Sequence, residues 1–121
     1  MITTVNNANQ ILNKRININY NNAFFSFVID ENKKISWILK NGNDVVNQTS
    51  NVFVKQVNDN VVVLEWMNQD NTIVSKEINL ENNTVDCVFY NNEKTESFTG
   101  KIFLNQIIPS IYYTPIIYLF L

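Results

Sequence analysis

The chain has 121 residues, of which 45% are hydrophobic and 17% charged, and its formal net charge is −2. A chain of this length predicts one domain, spanning 1–121, and the absence of a basic stripe argues against nucleic-acid binding. There is no His and only one cysteine, Cys87, which excludes His-based acid–base catalysis and an intrachain disulfide. We therefore expect no metal and no cofactor. The N-terminal segment lacks the apolar core of a signal peptide, which predicts a cytoplasmic protein.

The first segment, 4–14, has a sparse apolar stripe behind Thr4, a candidate N-cap, and predicts either a short N-terminal helix or an irregular lead-in. Apolar runs then recur about every ten residues between turns rich in Asn and Asp, which is typical of an all-β barrel or sandwich. Asn41-Gly42 is the strongest hairpin signal. The predicted strands span 23–29, 34–40, 52–57, 61–67, 72–80, 84–90 and 96–104.

Asparagine supplies much of the polar surface, with 23 residues dispersed along the chain. We interpret this abundance as compositional bias of an AT-rich genome rather than as a prion-like tract, because the Asn residues do not cluster.

Seven or more consecutive antiparallel strands with short turns favour closure, because a closed barrel has no exposed strand edge. The predicted fold class is therefore all-β, a single small antiparallel up-and-down β-barrel of about eight strands. Its core is expected at about 16–104, with an apolar C-terminal extension at 105–121.

Part of the sequence resembles a known family. The run DNVVVLEWMNQDNTIVSKEINLENNTV (59–85), followed by SFTGKIF (97–103), resembles the MoaF-like family of small calycin, or lipocalin-like, β-barrels, and the upstream FSFVIDENKKISW (25–37) fits the same plan. The resemblance covers about 16–104 and implies a barrel whose strands carry an inward face.

The same pattern is similar to the phenolic acid decarboxylases, which use inward tyrosines in a Y-x-Y strand, an arginine, and a glutamate two residues after the Trp. In this chain Phe25 and Phe27 occupy the Y-x-Y positions, and Asn68 stands two residues after Trp66. The single arginine, Arg15, lies outside the matched region. Decarboxylation of that kind needs a proton donor and a carboxylate anchor, so the activity is not expected here.

Alternation along a strand places Leu64, Trp66 and Asn68 on one face, and the resemblance implies that this face points into the barrel. With the apolar faces of the predicted strands 23–29 and 34–40 it would form an aromatic interior, in which Tyr20 and Asn68 are candidate polar anchors. A barrel this small can equally be filled by its own side chains. The candidate cavity-lining residues are Tyr20, Phe25, Phe27, Trp37, Leu64, Trp66 and Asn68.

Two further side chains are interpreted from their strands. Glu65 should face outward as a solvated charge, because its neighbours in the strand face inward. Cys87 is interpreted as a small buried apolar residue rather than a reactive thiol, because no base or cation is near it in sequence.

Three functions remain open. The first is a binding module that holds a small apolar or aromatic molecule without catalysis. The second is a diverged lyase or isomerase, which needs an inward titratable group from among Tyr20, Glu77, Asp86 and Tyr90. The third is a structural or assembly protein that uses the barrel wall or the tail as an interface, for example in a homodimer.

The final 20 residues, 102–121, are uncharged, and this length would suit a membrane span. Pro109 and Pro115 interrupt the segment, and β-branched and aromatic residues dominate it, so extended structure is favoured over a membrane helix. We predict that residues 102–105 end one strand, that about 110–114 form another, and that the tail packs on the barrel or on a second chain.

Overall fold

The computed structural model describes residues 11–103, and it is an all-β closed barrel. Each strand pairs antiparallel with the next, and β1 pairs with β8 to close the barrel. This architecture confirms the predicted small up-and-down barrel of about eight strands. The strands are β1 (Ile16–Asn19), β2 (Phe24–Ile29), β3 (Lys34–Asn41), β4 (Asp44–Gln56), β5 (Val61–Met67), β6 (Ile73–Asn79), β7 (Thr84–Asn91) and β8 (Lys94–Phe103).

Apolar runs in the sequence predict neither β1 nor the first half of β4. β1 reads ININ and is too short to stand out as an apolar run. The strand predicted at 52–57 is only the second half of β4, whose first half is polar and mostly exposed. That first half pairs with β3 over its whole length, from Asn41↔Asp44 to Lys34↔Asn51, while the second half pairs with β5. Strand pairing, rather than hydrophobicity, therefore extends β4.

The turns explain where many Asn residues are used. Asn tolerates the left-handed backbone region better than most residues, because its short polar side chain bonds locally. Gly42 has a φ of 64° in the two-residue β3–β4 turn, where the predicted hairpin lies. Within the described residues six others have positive φ, and five of them are Asn: Asn13, Asn21, Lys33, Asn71, Asn83 and Asn92.

The two ends of the barrel differ. The end that carries the β2–β3, β4–β5 and β6–β7 turns is covered by Ile11, which is 1% exposed, and by Leu12, which pairs with Ile29 in an isolated parallel bridge. Of the segment predicted as a helix or lead-in, 4–14, only 11–14 are described. Residues 12–14 are not helical, because Leu12 is in the bridge and Asn13 has a φ of 60°.

The opposite end, between the β1–β2, β3–β4, β5–β6 and β7–β8 turns, is where the interior opens, and we call it the open end. The predictions for the tail, 105–121, lie outside the described residues, and the single-domain, cytoplasmic and homodimer assignments stay predictions. Within 11–103, no helix is long and apolar enough to cross a membrane.

Candidate ligand-binding site

The barrel interior is filled at one end and hollow at the other. The filled half consists of side chains that are fully buried, among them Phe27, Ile35, Leu64 and Ile78. The hollow half is a cavity of about 330 Å³ at the open end. We call it the open-end cavity, and its principal wall residues are Tyr20, Phe25, Trp37, Trp66, Lys76 and Phe98.

The seven candidate residues divide between these halves. Phe27 and Leu64 point inward but belong to the filled half, each with no exposed surface, because their strand positions lie nearer the covered end. The structure brings the other five together around the open-end cavity: Tyr20, Phe25, Trp37, Trp66 and Asn68. A filled core and a cavity thus coexist in one barrel.

The wall of the cavity is a stack of aromatic rings. The Phe25 ring lies between the two tryptophans, with its centroid 5.5 Å from that of Trp37 and 6.2 Å from that of Trp66. The interplanar angles are 29° and 16°, so both contacts are stacked rather than edge-to-face. At the mouth, the inward-facing Phe98 remains 45% exposed and contacts the Phe89 ring at 5.5 Å. An inward aromatic ring with this much open surface leaves apolar area for a ligand to cover.

The indole N–H groups of Trp66 and Trp37 differ in their hydrogen bonding. Trp66 Nε1 donates to Asn68 Oδ1 at 2.9 Å, so the predicted polar anchor Asn68 fixes a wall residue. Trp37 Nε1 is buried and has no hydrogen-bond partner among the described residues. An unsatisfied buried donor costs about 1–3 kcal/mol. The nitrogen has almost no accessible surface, so a ligand acceptor reaches it only after a movement of neighbouring side chains and would then remove this cost.

Lys76 is a cavity-lining residue that sequence reasoning missed. It lies on β6 between the inward-facing Val74 and Ile78, and it is 1% exposed. Its Nζ lies 2.5 Å from Tyr20 Oη and 3.3 Å from Cys87 Sγ. No carboxylate pairs with it within residues 11–103. A lysine buried without an anionic partner is rare in a folded protein.

The position of Lys76 adds a neighbour to Cys87 that the sequence did not indicate. Cys87 is buried, as expected, with 2% exposure. The interpretation relied on the absence of a base or cation near it in sequence, but in space the register pairs Cys87 with Lys76 across β6 and β7. The neighbouring charge is distant in sequence and adjacent in space.

Burial dominates the electrostatics of this cluster. It lowers the pKa of Lys76 below its ordinary value of 10.5, and the charge and hydrogen bond of Cys87 oppose that shift. Burial, followed by Cys87 and then Asp86, raises the pKa of Tyr20 above its ordinary value of 10.0. Tyr20 is therefore a neutral phenol at neutral pH. Lys76 Nζ also lies 4.1 Å from the Phe25 ring centroid and 4.7 Å from that of Tyr20, contacts that favour the ammonium form.

Gly100 determines where Tyr20 lies. A Cβ at Gly100 would come within 2.7 Å of Ile18 Cγ2 and 2.7 Å of the Tyr20 ring. The bare backbone of β8 thus lets the Tyr20 ring lie against it, with its hydroxyl reaching Lys76. This is the physical role of the glycine in the SFTGKIF segment, 97–103.

The remaining candidate groups face outward. Glu65, Glu77 and Asp86 are exposed, and Tyr90 is 45% exposed; Glu77 and Asp86 are opposite each other on β6 and β7. Of the four groups considered for an enzyme, only Tyr20 lines the cavity. No group of three or more His, Cys, Asp or Glu side chains that could hold a metal occurs in the described part of the chain.

Comparisons with known proteins bear on the fold alone. No protein-family model matches the chain, and no curated protein matches it. One solved structure is similar, a crystal structure of a "putative beta-lactamase" from Burkholderia vietnamiensis. It has a TM-score of 0.70 and 11% sequence identity, and the match covers 77% of this chain and 93% of that chain. The similarity supports the barrel architecture and assigns no activity.

Proposed function

We propose that this barrel binds a small aromatic molecule carrying a hydrogen-bond acceptor. The observation that carries the proposal is the open-end cavity, whose stacked aromatic wall includes Trp37, with an indole N–H that has no described partner. Ligand sites typically have volumes of about 300–1,000 Å³. At about 330 Å³, this cavity suits a ligand of one or two rings.

The polar groups of the wall define the ligand's polar end. Trp37 Nε1 is a donor, and Lys76 Nζ is a donor whenever it is protonated. No Asp or Glu is among the described residues that line the cavity. A carbonyl or carboxylate oxygen therefore fits better than a cationic group, which would meet no counter-charge. The rings around Phe25 supply the apolar contact area.

The resemblance to MoaF-like calycin barrels belongs to this proposal, because it concerns the same strands that form the cavity. Hydrolysis of β-lactams is not proposed, since the similarity to the Burkholderia protein rests on fold at 11% identity. A second candidate, a lyase or isomerase acting on carbonyl compounds, is favoured by one observation, the contact of Lys76 with Tyr20.

The two tryptophans offer a direct test of binding. Their indole N–H groups give two separate NMR signals, which a Trp37→Phe variant assigns. Methyl 2-naphthoate supplies an ester carbonyl, and 2-propylnaphthalene has a similar length without an acceptor. We expect the ester to shift the Trp37 signal saturably and downfield, with a smaller effect from the hydrocarbon. Binding of neither compound, or an equal response to both, contradicts the proposal.

A matched pair of variants locates the site. Phe98 lines the cavity and is 45% exposed, while Phe53 is on the outer surface and is 62% exposed. Phe98→Ala should weaken binding of the ester about tenfold, which corresponds to about 1.4 kcal/mol. Phe53→Ala removes the same side chain from the outer wall and should leave the affinity unchanged. Equal losses in the two variants would place the ligand elsewhere.

A further inference from the structure

Lys76 differs from every other lysine of the chain. Of the eight lysines in the sequence, the other seven are exposed, whereas Lys76 is 1% exposed and lines the open-end cavity. A lysine on a protein surface is normally hydrated, and a lysine buried in a core is normally paired with an anion. Lys76 is almost fully shielded from solvent and has no carboxylate partner among the described residues; its hydrogen-bond partners are Tyr20 and Cys87. Its position points to a role for the amine itself.

The geometry places this amine where a ligand's polar end would lie. Lys76 Nζ is 4.1 Å from the centroid of Phe25, the ring at the centre of the aromatic stack, and 5.9 Å from that of Trp66. Because Lys76 itself lines the cavity, an aromatic molecule packed there brings its substituent next to Nζ. The phenol of Tyr20 lies beside the amine, so a carbonyl group would meet a nucleophile and a hydrogen-bond donor together.

We propose that Lys76 captures an aromatic aldehyde in the open-end cavity as an imine, a step that rests on the cavity's proposed function as an aromatic binding site. The lone pair of the neutral amine attacks the carbonyl carbon, a C–N bond forms, and the oxygen becomes a hydroxyl group. That hydroxyl then leaves as water while the C=N bond forms. One aldehyde and one amine give one imine and one water, with no oxidation or reduction.

Tyr20 is placed to assist the loss of water. Its Oη lies 2.5 Å from Nζ, within hydrogen-bond reach of the carbinolamine that forms there. The phenol can give its proton to the departing hydroxyl and regain one from the nitrogen, so it ends unchanged. Its raised pKa keeps it a phenol for this exchange, and the lowered pKa of Lys76 increases the fraction of neutral amine. Each unit by which an amine pKa falls raises that fraction about tenfold near neutral pH.

Reductive trapping tests the proposal on the intact chain. 2-Naphthaldehyde is the probe, and sodium cyanoborohydride converts any imine into a stable amine that adds one naphthylmethyl group to the mass. Near neutral pH, limited labelling followed by peptide mapping should find Lys76 modified at least about tenfold more than any other lysine. Labelling spread evenly over the exposed lysines, or absent from Lys76, overturns the proposal.

Variants and a second ligand separate this proposal from the one on which it rests. Lys76→Met should abolish the selective adduct, while Lys55→Met, which removes an exposed lysine, should leave it unchanged. Tyr20→Phe should slow its formation about tenfold or more. If methyl 2-naphthoate shifts the Trp37 signal but 2-naphthaldehyde gives no adduct at Lys76, imine formation fails and binding stands. If neither compound binds, both proposals fail. The peptide map of the natural sequence decides the matter even if a variant does not fold.

Discussion

Replacing Lys76 with Met tests whether the buried amine is a cost to the fold. Methionine fills a similar volume without an ionisable group. Lys76 is 1% exposed, and its hydrogen-bond partners are the side chains of Tyr20 and Cys87. Replacing a buried ion pair with apolar side chains of similar size is often neutral or stabilises a protein by about 1–4 kcal/mol. That figure already includes the hydrogen bonds lost with the pair, and Lys76 is a single charge, so we expect a net gain at the lower end, about 1–2 kcal/mol.

The pH dependence follows from the direction of the Lys76 shift. Its pKa in the folded state is below its ordinary value of 10.5, so between those two values the unfolded chain binds more protons. The free energy of unfolding therefore rises with pH in this window. The destabilisation by Lys76 is greatest below the folded pKa and is relieved as pH approaches 10.5. The advantage of Lys76→Met should shrink accordingly.

Urea denaturation measures the free energy of unfolding for both proteins between neutral pH and pH 10.0. The upper limit is set by Tyr20, whose raised pKa makes its contribution to stability decline above its ordinary value of 10.0. Lys55→Met is the control, because an exposed lysine should change stability by less than about 0.5 kcal/mol. A Lys76→Met protein destabilised by more than about 1 kcal/mol, with no trend in pH, would refute the reasoning.

Three further substitutions test the fold, each measured by urea denaturation. Gly100→Ala forces a Cβ against Ile18 and Tyr20 and should lower the free energy of unfolding by about 1–3 kcal/mol. An unchanged stability would contradict the close contact between β8 and these side chains. Gly42→Ala meets no atom within 4 Å but keeps a φ of 64°, so about 1–2 kcal/mol is expected from the backbone alone, and a neutral result would contradict that turn geometry. Leu64→Ala empties a fully buried position of the filled half and should cost about 2–5 kcal/mol, whereas a cost below about 1 kcal/mol would contradict close packing there.

Much of the barrel is predictable from alternation, because strands with one face in the core must alternate. Phe25, Leu64 and Trp66 are buried on the faces that the sequence predicts, and Glu65 is exposed between two of them. The first half of β4 is not predictable in this way. It is held by its pairing with β3 and shows no apolar period.

The sequence also does not predict that the interior is divided into a filled half and a cavity. Phe27 and Phe25 occupy equivalent positions in the alternation, yet one is in the filled half and the other in the cavity wall. The difference depends on which end of the barrel Ile11 covers, and that is a contact between distant parts of the chain.

Lys76 shows what a stricter use of the same rule could have found. It stands two residues from both Val74 and Ile78, so the period of a strand places it on their buried face. Burial of this residue was not predicted because a charged lysine is normally exposed. Its contacts with Tyr20 and Cys87, however, depend on register and on closure of β1 against β8, which no local pattern of the sequence records.

The crystal structure of the protein with methyl 2-naphthoate is the most direct test of the account. We predict that the naphthyl rings occupy the open-end cavity against Phe25 and Phe98, and that the ester carbonyl accepts a hydrogen bond from Trp37 Nε1. An empty cavity at a saturating concentration of the ester, or a ligand bound only to the outer wall near Phe53, would contradict the claim that this barrel is a binding protein for small aromatic molecules.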